Sequence, residues 1–257
     1  MNGFTSESPR LAPGPQAMPD RPHHLAGRIA LVTGASRGIG AATAEALAAA
    51  GARVLLVARD DRALEAVAAS IRESGGDATA APADVSDERD VQRVFAAVAT
   101  KGPLAALVCA AGVLTSAPFT ETTSEIWEQT LGVNLTGSFL CCREAFIAMS
   151  AGGGRIVNIG SLSGVYATEK FRGLTAYNVS KFGVVGLTEA IAVEGKELGI
   201  SAICLSPGAV DTEMLRRANP ELRPGLTPGD VAELIVALLN SPMEAASGAN
   251  IPLFSNA

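Results

Sequence analysis

The stretch that decides the architecture is TGASRGIG, Thr33 to Gly40. It follows an apolar run, RIALVTG over Arg28 to Gly34, that reads as a buried strand, and it opens an alanine-rich helical pattern closing on Gly51. Gly34, Gly38 and Gly40 permit a tight turn and let backbone N–H groups approach an anion at the helix start. The spacing G-x-x-x-G-x-G differs from the usual dinucleotide fingerprint. Glycine in a strand-to-helix turn is common; its setting between a strand and a helix is what points to a nucleotide phosphate here.

Beyond this turn the same alternation continues. Strand-like runs are RVLLVA (Arg53 to Ala58), a weaker DATAAPADV, LAALVCA, GRIVNIG, ISAICLS and a short seventh at Asn250 to Leu253. Helical patterns cover RALEAVAASIRES, DERDVQRVFAAVAT with Asp87 near its start, one long helix from Ser124 to Met149, then Thr175 to Leu198 and Pro228 to Asn240. The segment after Thr212, EMLRRANPELRPGL, reads as a loop over a pocket, in which Arg216, Arg217 and Arg223 meet an anionic carrier or face solvent. The alternation predicts an α/β fold: a single Rossmann-type, doubly wound domain whose parallel sheet of about seven strands has helices on both faces. The domain is expected over residues 25–257. Residues 1–24, rich in Pro, Ser and Gly and without an apolar signal-peptide core, read as a disordered tail in which Met18 offers a second candidate start.

Composition narrows the function classes. Hydrophobic residues at 48% and charged residues at 18% describe a globular chain. A net charge of −6 without a basic cluster argues against nucleic acid, and no uninterrupted apolar run reaches membrane-spanning length. The two histidines, His23 and His24, fall in the tail, so neither a histidine triad nor a zinc site is expected, and no metal. Cys109, Cys141, Cys142 and Cys204 lack metal-type spacing and sit among apolar residues, as buried thiols of a reducing, cytoplasmic compartment do.

Both tyrosines have a lysine four positions on: Tyr166 with Lys170 and Tyr177 with Lys181. On a helix such a pair shares one face, where an ammonium favours phenolate and makes the phenol a usable acid or base. YNVSKFGVVGLTEAIAVEGKEL, from Tyr177, has helical periodicity; GVYATEKFRG lies between glycine-containing turns and reads as a connecting loop. Tyr177 and Lys181 are therefore the expected chemical pair.

Several motifs in order resemble the classical short-chain dehydrogenase/reductase family over about Gly27 to Leu253. TGASRGIG looks like its cofactor turn (Gly34, Ser36, Arg37, Gly38, Ile39 and Gly40), and ADV with Asp84 and Val85 like its adenine-contacting pair. CAAG, with Ala110, Ala111 and Gly112, stands where the family has N-N-A-G; VNLTG carries Asn134 and GSLSG carries Ser161. SPGAVDT, with Pro207, Gly208, Val210 and Thr212, matches the segment beside the nicotinamide. The resemblance implies an oxidoreductase in which Tyr177 exchanges a proton with the substrate oxygen as hydride moves to or from the nicotinamide. It implies that Ser161 holds that oxygen, Lys181 also contacts the nicotinamide ribose, and Asn134 holds a water joining the lysine to solvent. Two features depart from the pattern: Ala110 replaces an asparagine, and the loop containing Tyr166 to Arg172 adds a few residues between Ser161 and Tyr177. That loop borders the substrate pocket in relatives, so Tyr166, Phe171 and Arg172 are either substrate contacts or exposed loop.

After the second strand, Ala58 stands where NAD-preferring relatives tend to carry Asp, and Arg59 follows. A guanidinium there, with Arg37 on the other side, suits a 2′-phosphate and favours NADP(H) over NAD(H); Asp60 nearby argues the other way. RPGLTPGDVAELIVALL resembles 3-oxoacyl-[acyl-carrier-protein] reductases, which implies a small ketone or secondary alcohol and, as one candidate, a carrier-bound 3-oxoacyl thioester. Relatives usually form homotetramers. The rival from another class is a non-catalytic dinucleotide-binding sensor, which predicts loss of a site residue.

Overall fold

The computed structural model describes residues 25–255, so the expected tail and both histidines lie outside the described residues. Strands β1 (Ile29–Thr33), β2 (Arg53–Ala58), β3 (Asp77–Pro82), β4 (Leu104–Cys109), β5 (Gly154–Ile159), β6 (Ile200–Pro207) and β7 (Asn250–Leu253) form one sheet in the order 3-2-1-4-5-6-7. Every neighbouring pair is parallel. Helices α1 (Gly38–Ala49), α2 (Asp61–Glu73), α3 (Glu88–Ala99), α4 (Ser124–Leu131), α5 (Gly137–Met149), α6 (Thr175–Gly195), α7 (Glu213–Ala218) and α8 (Pro228–Asn240) complete it.

Both faces of the sheet are covered, which is why its inner strands are apolar throughout rather than alternating. Along β1, Ala30 and Val32 face a core built with Leu47 of α1 and Val231, Ile235 and Leu239 of α8. Ile29 and Leu31 face the opposite core, with Val91, Val94 and Val98 of α3 and Leu140, Ala145 and Met149 of α5. The α3 residues recur at i, i+3 and i+7, the stripe a helix needs to lie on a sheet. Asp87 caps α3 by accepting from the N–H groups of Arg89 and Asp90. Truncating one of the fully buried leucines, such as Leu47, is worth about 2–5 kcal/mol.

Three elements differ from their sequence expectation. The single helix expected over Ser124 to Met149 is interrupted by a π-helical turn, Gly132–Thr136, between α4 and α5. Gly137, just after it, packs on Val85 so closely that a Cβ there would lie 2.8 Å from Val85 Cγ2. The segment after Thr212 is not all loop: Thr212 accepts from the N–H of Leu215 and starts the short α7. The helix expected to run to Leu198 ends at Gly195 and continues as one 3-10 turn, Lys196–Leu198.

Candidate active site

The strand order reverses direction between β1 and β4, and in parallel sheets the crevice at the carboxyl ends of such neighbours is the ligand site. Here the two turns lining it touch backbone to backbone. Gly34 has φ 68°, and a Cβ on it would lie 2.7 Å from both the Ala110 oxygen and the Ala111 nitrogen. A Cβ on Gly40 would fall 2.3 Å from the Gly34 oxygen. The Thr33 hydroxyl accepts from the N–H groups of Ala110 (3.1 Å) and Ala111 (3.2 Å). Loss of the asparagine at position 110 therefore leaves this backbone pinned.

These residues suit a pyrophosphate. Helices α2, α3, α4, α7 and α8 are capped by Asp60, Asp87, Thr123, Thr212 and Thr227. Helix α1 starts at Gly38 with no side-chain cap from Arg37 and no acidic residue in its first turn. Its first N–H groups are thus available to an anion, above a cradle that any Cβ would fill. Ser36 is half-buried in the turn, while Ile39 packs on the core and offers only its backbone. Gly38 faces the methyl of Thr212, which a Cβ would approach to 3.3 Å. Pro207 ends β6; Gly208 packs beside Ser255, and Val210 is buried against the core and bridged to Leu226, so its backbone alone can meet a ligand. Val85 is likewise buried.

At the end of β2 the strand stops at Ala58, leaving Arg59 as the first residue beyond it. Asp60 is occupied as the cap of α2, its Oδ1 accepting from the Ala63 N–H at 3.0 Å. Arg37 Nη1 donates to Glu213 Oε2 at 2.9 Å, and its Nη2 lies 3.6 Å from Asp60 Oδ2. Arg59 Nη1 lies 3.7 Å from Asp84 Oδ2, and Asp84 Oδ1 accepts from the backbone and hydroxyl of Ser86. Both guanidiniums singled out in the sequence thus face carboxylates, Glu213 and Asp60 at Arg37 and Asp84 at Arg59, of which Glu213 and Asp84 arrive from distant elements.

On the far side of the crevice, α6 carries Tyr177 and Lys181 in its first turns. Lys181 is 5% exposed; its Nζ donates to the Ile159 oxygen at 2.8 Å and lies 5.6 Å from the Tyr177 ring centroid. Burial brings its pKa down to about 8, with the Cys204 and Cys109 thiols acting in the opposite direction. Desolvation raises the Tyr177 phenol, and the neighbouring Ser161 hydroxyl opposes that rise. In this structure Lys181 Nζ bonds a backbone carbonyl, and desolvation dominates at both groups. Ser161 is also a turn residue, its Oγ accepting from the Ser163 N–H at 3.1 Å.

Asn134 is fully buried in the π turn. Its Oδ1 accepts from the Val113 N–H (2.8 Å), and its Nδ2 donates to the Val113 oxygen (3.0 Å) and to Ser180 Oγ (3.0 Å). Ser180 Oγ donates in turn to the backbone carbonyl oxygen of Tyr177 at 2.7 Å. The side chain of Asn134 thus clamps the irregular segment following Gly112 to the tyrosine helix. Ser180, Thr33 and Glu213 are participants the sequence reading missed; only Ser180 had a signal, as a small polar residue between Tyr177 and Lys181.

The second tyrosine pair is not assembled. Tyr166 is 89% exposed. Lys170 Nζ instead donates to the Val165 oxygen (2.6 Å), the Leu162 oxygen (3.1 Å) and Thr168 Oγ1 (2.5 Å), and sits 5.2 Å from the Phe182 ring centroid. Phe171 and Arg172 are exposed, and the loop ends where the Ala117 N–H donates to the Gly173 oxygen. Arg216 pairs with Asp211 and Arg217 with Glu213.

Residues 28–223 match the family model described as short chain dehydrogenase. The chain belongs to the short-chain dehydrogenase family. Membership of this family makes it an enzyme, an NAD(P)-dependent oxidoreductase. It is 40% identical over 196 residues to a D-threitol dehydrogenase of Mycolicibacterium smegmatis, covering 76% of this chain and 74% of that one. It is 36% identical over 200 residues to a 3-oxoacyl-[acyl-carrier-protein] reductase of Synechocystis, covering 77% and 80%. A crystal structure of a short chain dehydrogenase from Burkholderia cenocepacia in complex with NADP superimposes with a TM-score of 0.82 at 30% identity, covering 91% and 98%. The four cysteines are free and buried, and among the described residues no group of His, Cys, Asp or Glu is arranged to hold a metal ion and no helix is long and apolar enough to cross a membrane.

Proposed function

We propose that the protein is an NADP(H)-dependent reductase of a ketone, or dehydrogenase of the corresponding secondary alcohol, with Tyr177 as its general acid and base. The observation that carries this reading is the convergence of Tyr177, Ser161 and Lys181 at the mouth of the β1/β4 crevice, with the Ser161 hydroxyl near enough to act on the phenol and the Lys181 ammonium beside the tyrosine ring. The bound nicotinamide supplies or accepts the hydride. Ser161 orients the substrate oxygen, and Tyr177, held neutral by burial, gives that oxygen its proton in the reducing direction. Lys181 supports the phenolate that results and reaches the nicotinamide ribose; Asn134 fixes the tyrosine helix through Ser180. Gly34, Ser36, Gly38, Ile39, Gly40, Asp84, Val85, Ala110, Ala111, Gly112, Pro207, Gly208, Val210 and Thr212 would line the dinucleotide.

Preference for NADP(H) is supported by Ala58 at the strand end, by Asp60 being engaged as a cap, and by Arg37 and Arg59 beside the adenosine position. A 3-oxoacyl thioester stands as one candidate substrate beside polyols and other small ketones, since relatives named for both reactions are comparably similar. Val179, Phe182 and Val193, exposed on one face of α6, and Phe139 and Ile147, exposed on α5, support self-association as a homotetramer. Four buried free thiols suit the cytoplasm. The test is oxidation of NADPH and NADH by the enzyme with a panel of ketones and 3-oxoacyl thioesters. Turnover with NADPH preferred is expected; tight NADPH binding without turnover on a broad panel would return the sensor reading.

A further inference from the structure

We infer that Glu213 is a cofactor-specificity residue, which competes with the 2′-phosphate of NADP(H) for the Arg37 guanidinium. This rests on the reading of Arg37 as a 2′-phosphate ligand. Arg37 is flanked by two carboxylates, Glu213 Oε2 at 2.9 Å and Asp60 Oδ2 at 3.6 Å. The two differ in what else they do. Asp60 Oδ1 caps α2 through the Ala63 N–H, so moving it would uncap a thirteen-residue helix. Glu213 caps nothing: Thr212 performs that task for α7. Its other oxygen, Oε1, already holds Arg217 Nη2 at 2.5 Å, so it keeps a counter-charge when it releases Arg37. Glu213 is therefore the partner that gives way.

A phosphate dianion binds a guanidinium bidentately and with more charge than one carboxylate, so it displaces Glu213. The displacement opposes binding of NADP(H). NAD(H), with a hydroxyl at that position, makes no demand on Arg37 and leaves the pair in place. Glu213 thus narrows the preference that Arg37 creates. The pair is about half exposed at both ends (54% and 44%), which sets the size of the effect at a few fold rather than orders of magnitude.

The test is a double-mutant cycle on equilibrium dissociation constants for NADPH, NADH and 2′,5′-ADP, read by calorimetry without substrate. Glu213→Gln is expected to tighten NADPH and 2′,5′-ADP by about two- to fivefold, to leave NADH unchanged, and to have no effect in an Arg37→Met background. Equal tightening of NADPH and NADH, or tightening that survives Arg37→Met, would reveal a general charge effect and overturn the proposal. If Arg37→Met weakens the 2′-phosphate ligands selectively while Glu213→Gln changes nothing, Glu213 alone is refuted. If Arg37→Met leaves NADPH binding intact, the 2′-phosphate reading itself fails and the proposal falls with it.

Discussion

The chain contains the same four-residue spacing twice, and only one copy folds into a site. Tyr177 and Lys181 lie on a helix whose first turns are packed against β5 and the π turn, so the lysine is buried with its Nζ on the Ile159 oxygen. Tyr166 and Lys170 lie in a loop; the lysine closes that loop on its own carbonyls and the tyrosine stands in solvent. The difference teaches that spacing supplies a pair with the opportunity to meet, while burial supplies the chemistry. Desolvation shifts the buried Lys181 and the half-buried Tyr177.

The strongest way to break this comparison is to remove each hydroxyl in turn. Tyr177→Phe is expected to lower turnover by about 10²–10⁴-fold, the range of general acid–base catalysis, and Tyr166→Phe to leave it within about twofold. Steady-state cofactor oxidation measures both, and comparable losses in the two variants would mean that the exposed tyrosine also reaches the substrate.

The pH dependence sharpens it next. With the phenol raised by desolvation, Tyr177 holds its proton at neutrality, so the proton that reduction needs is present and the phenolate that oxidation needs is scarce. In kcat/KM profiles, which report the free enzyme, carbonyl reduction should persist through neutral pH and fall only at alkaline pH, while alcohol oxidation should climb as the phenol begins to ionise. Oxidation already at its plateau below neutral pH would contradict the burial argument.

The lysines give the smallest and most diagnostic effect, on stability. Lys181 has a folded pKa of about 8 against an ordinary 10.5, so between those values the native state binds fewer protons than the unfolded chain. Stability attributable to this group therefore rises with pH across that window, and at neutral pH the buried ammonium costs up to about 3 kcal/mol. Lys181→Met removes that cost but leaves the Ile159 oxygen without its donor, worth about 1–3 kcal/mol in the other direction. Melting temperature at pH 7 should stay within a few degrees of wild type although turnover is lost, whereas Lys170→Met should keep turnover. A large drop in melting temperature for Lys181→Met would make Lys181 chiefly a structural residue.

What could be read from the sequence follows the same division between local and distant causes. The buried strands were legible because both of their faces are apolar, and α6 because its periodicity is unbroken. Strand β3 gave a weak signal since most of its residues are only half-buried at the sheet edge. The π turn was invisible: its sequence, GVNLT, continues a helical pattern without proline. It is set by Gly137 against Val85 and by Asn134 against Val113, contacts made with other parts of the chain. Arg37 and Arg59 were found as cations, but a partner for Arg37 lies 176 positions away, beyond any local pattern. Tyr177 and Lys181 could be singled out by their spacing on a helix face, whereas Ser161 was pointed to only by the resemblance to the family.

The loop between Ser161 and Tyr177 deserves a last consequence, in evolutionary terms. The hydrogen bonds of Lys170 and Thr168 run to Leu162, Val165 and each other, with outside ties only from the Phe182 ring and one backbone bond between Ala117 and Gly173, so no strand of the sheet holds this stretch. A segment that carries its own fastening can lengthen, shorten or be exchanged for a relative's without disturbing the residues on either side. The turn at Gly34, locked to Ala110 and Ala111 with no room for a single methyl group, has no such freedom. Lineages built on this scaffold are free to explore new substrates at the loop while the opposite wall of the crevice stays unchanged.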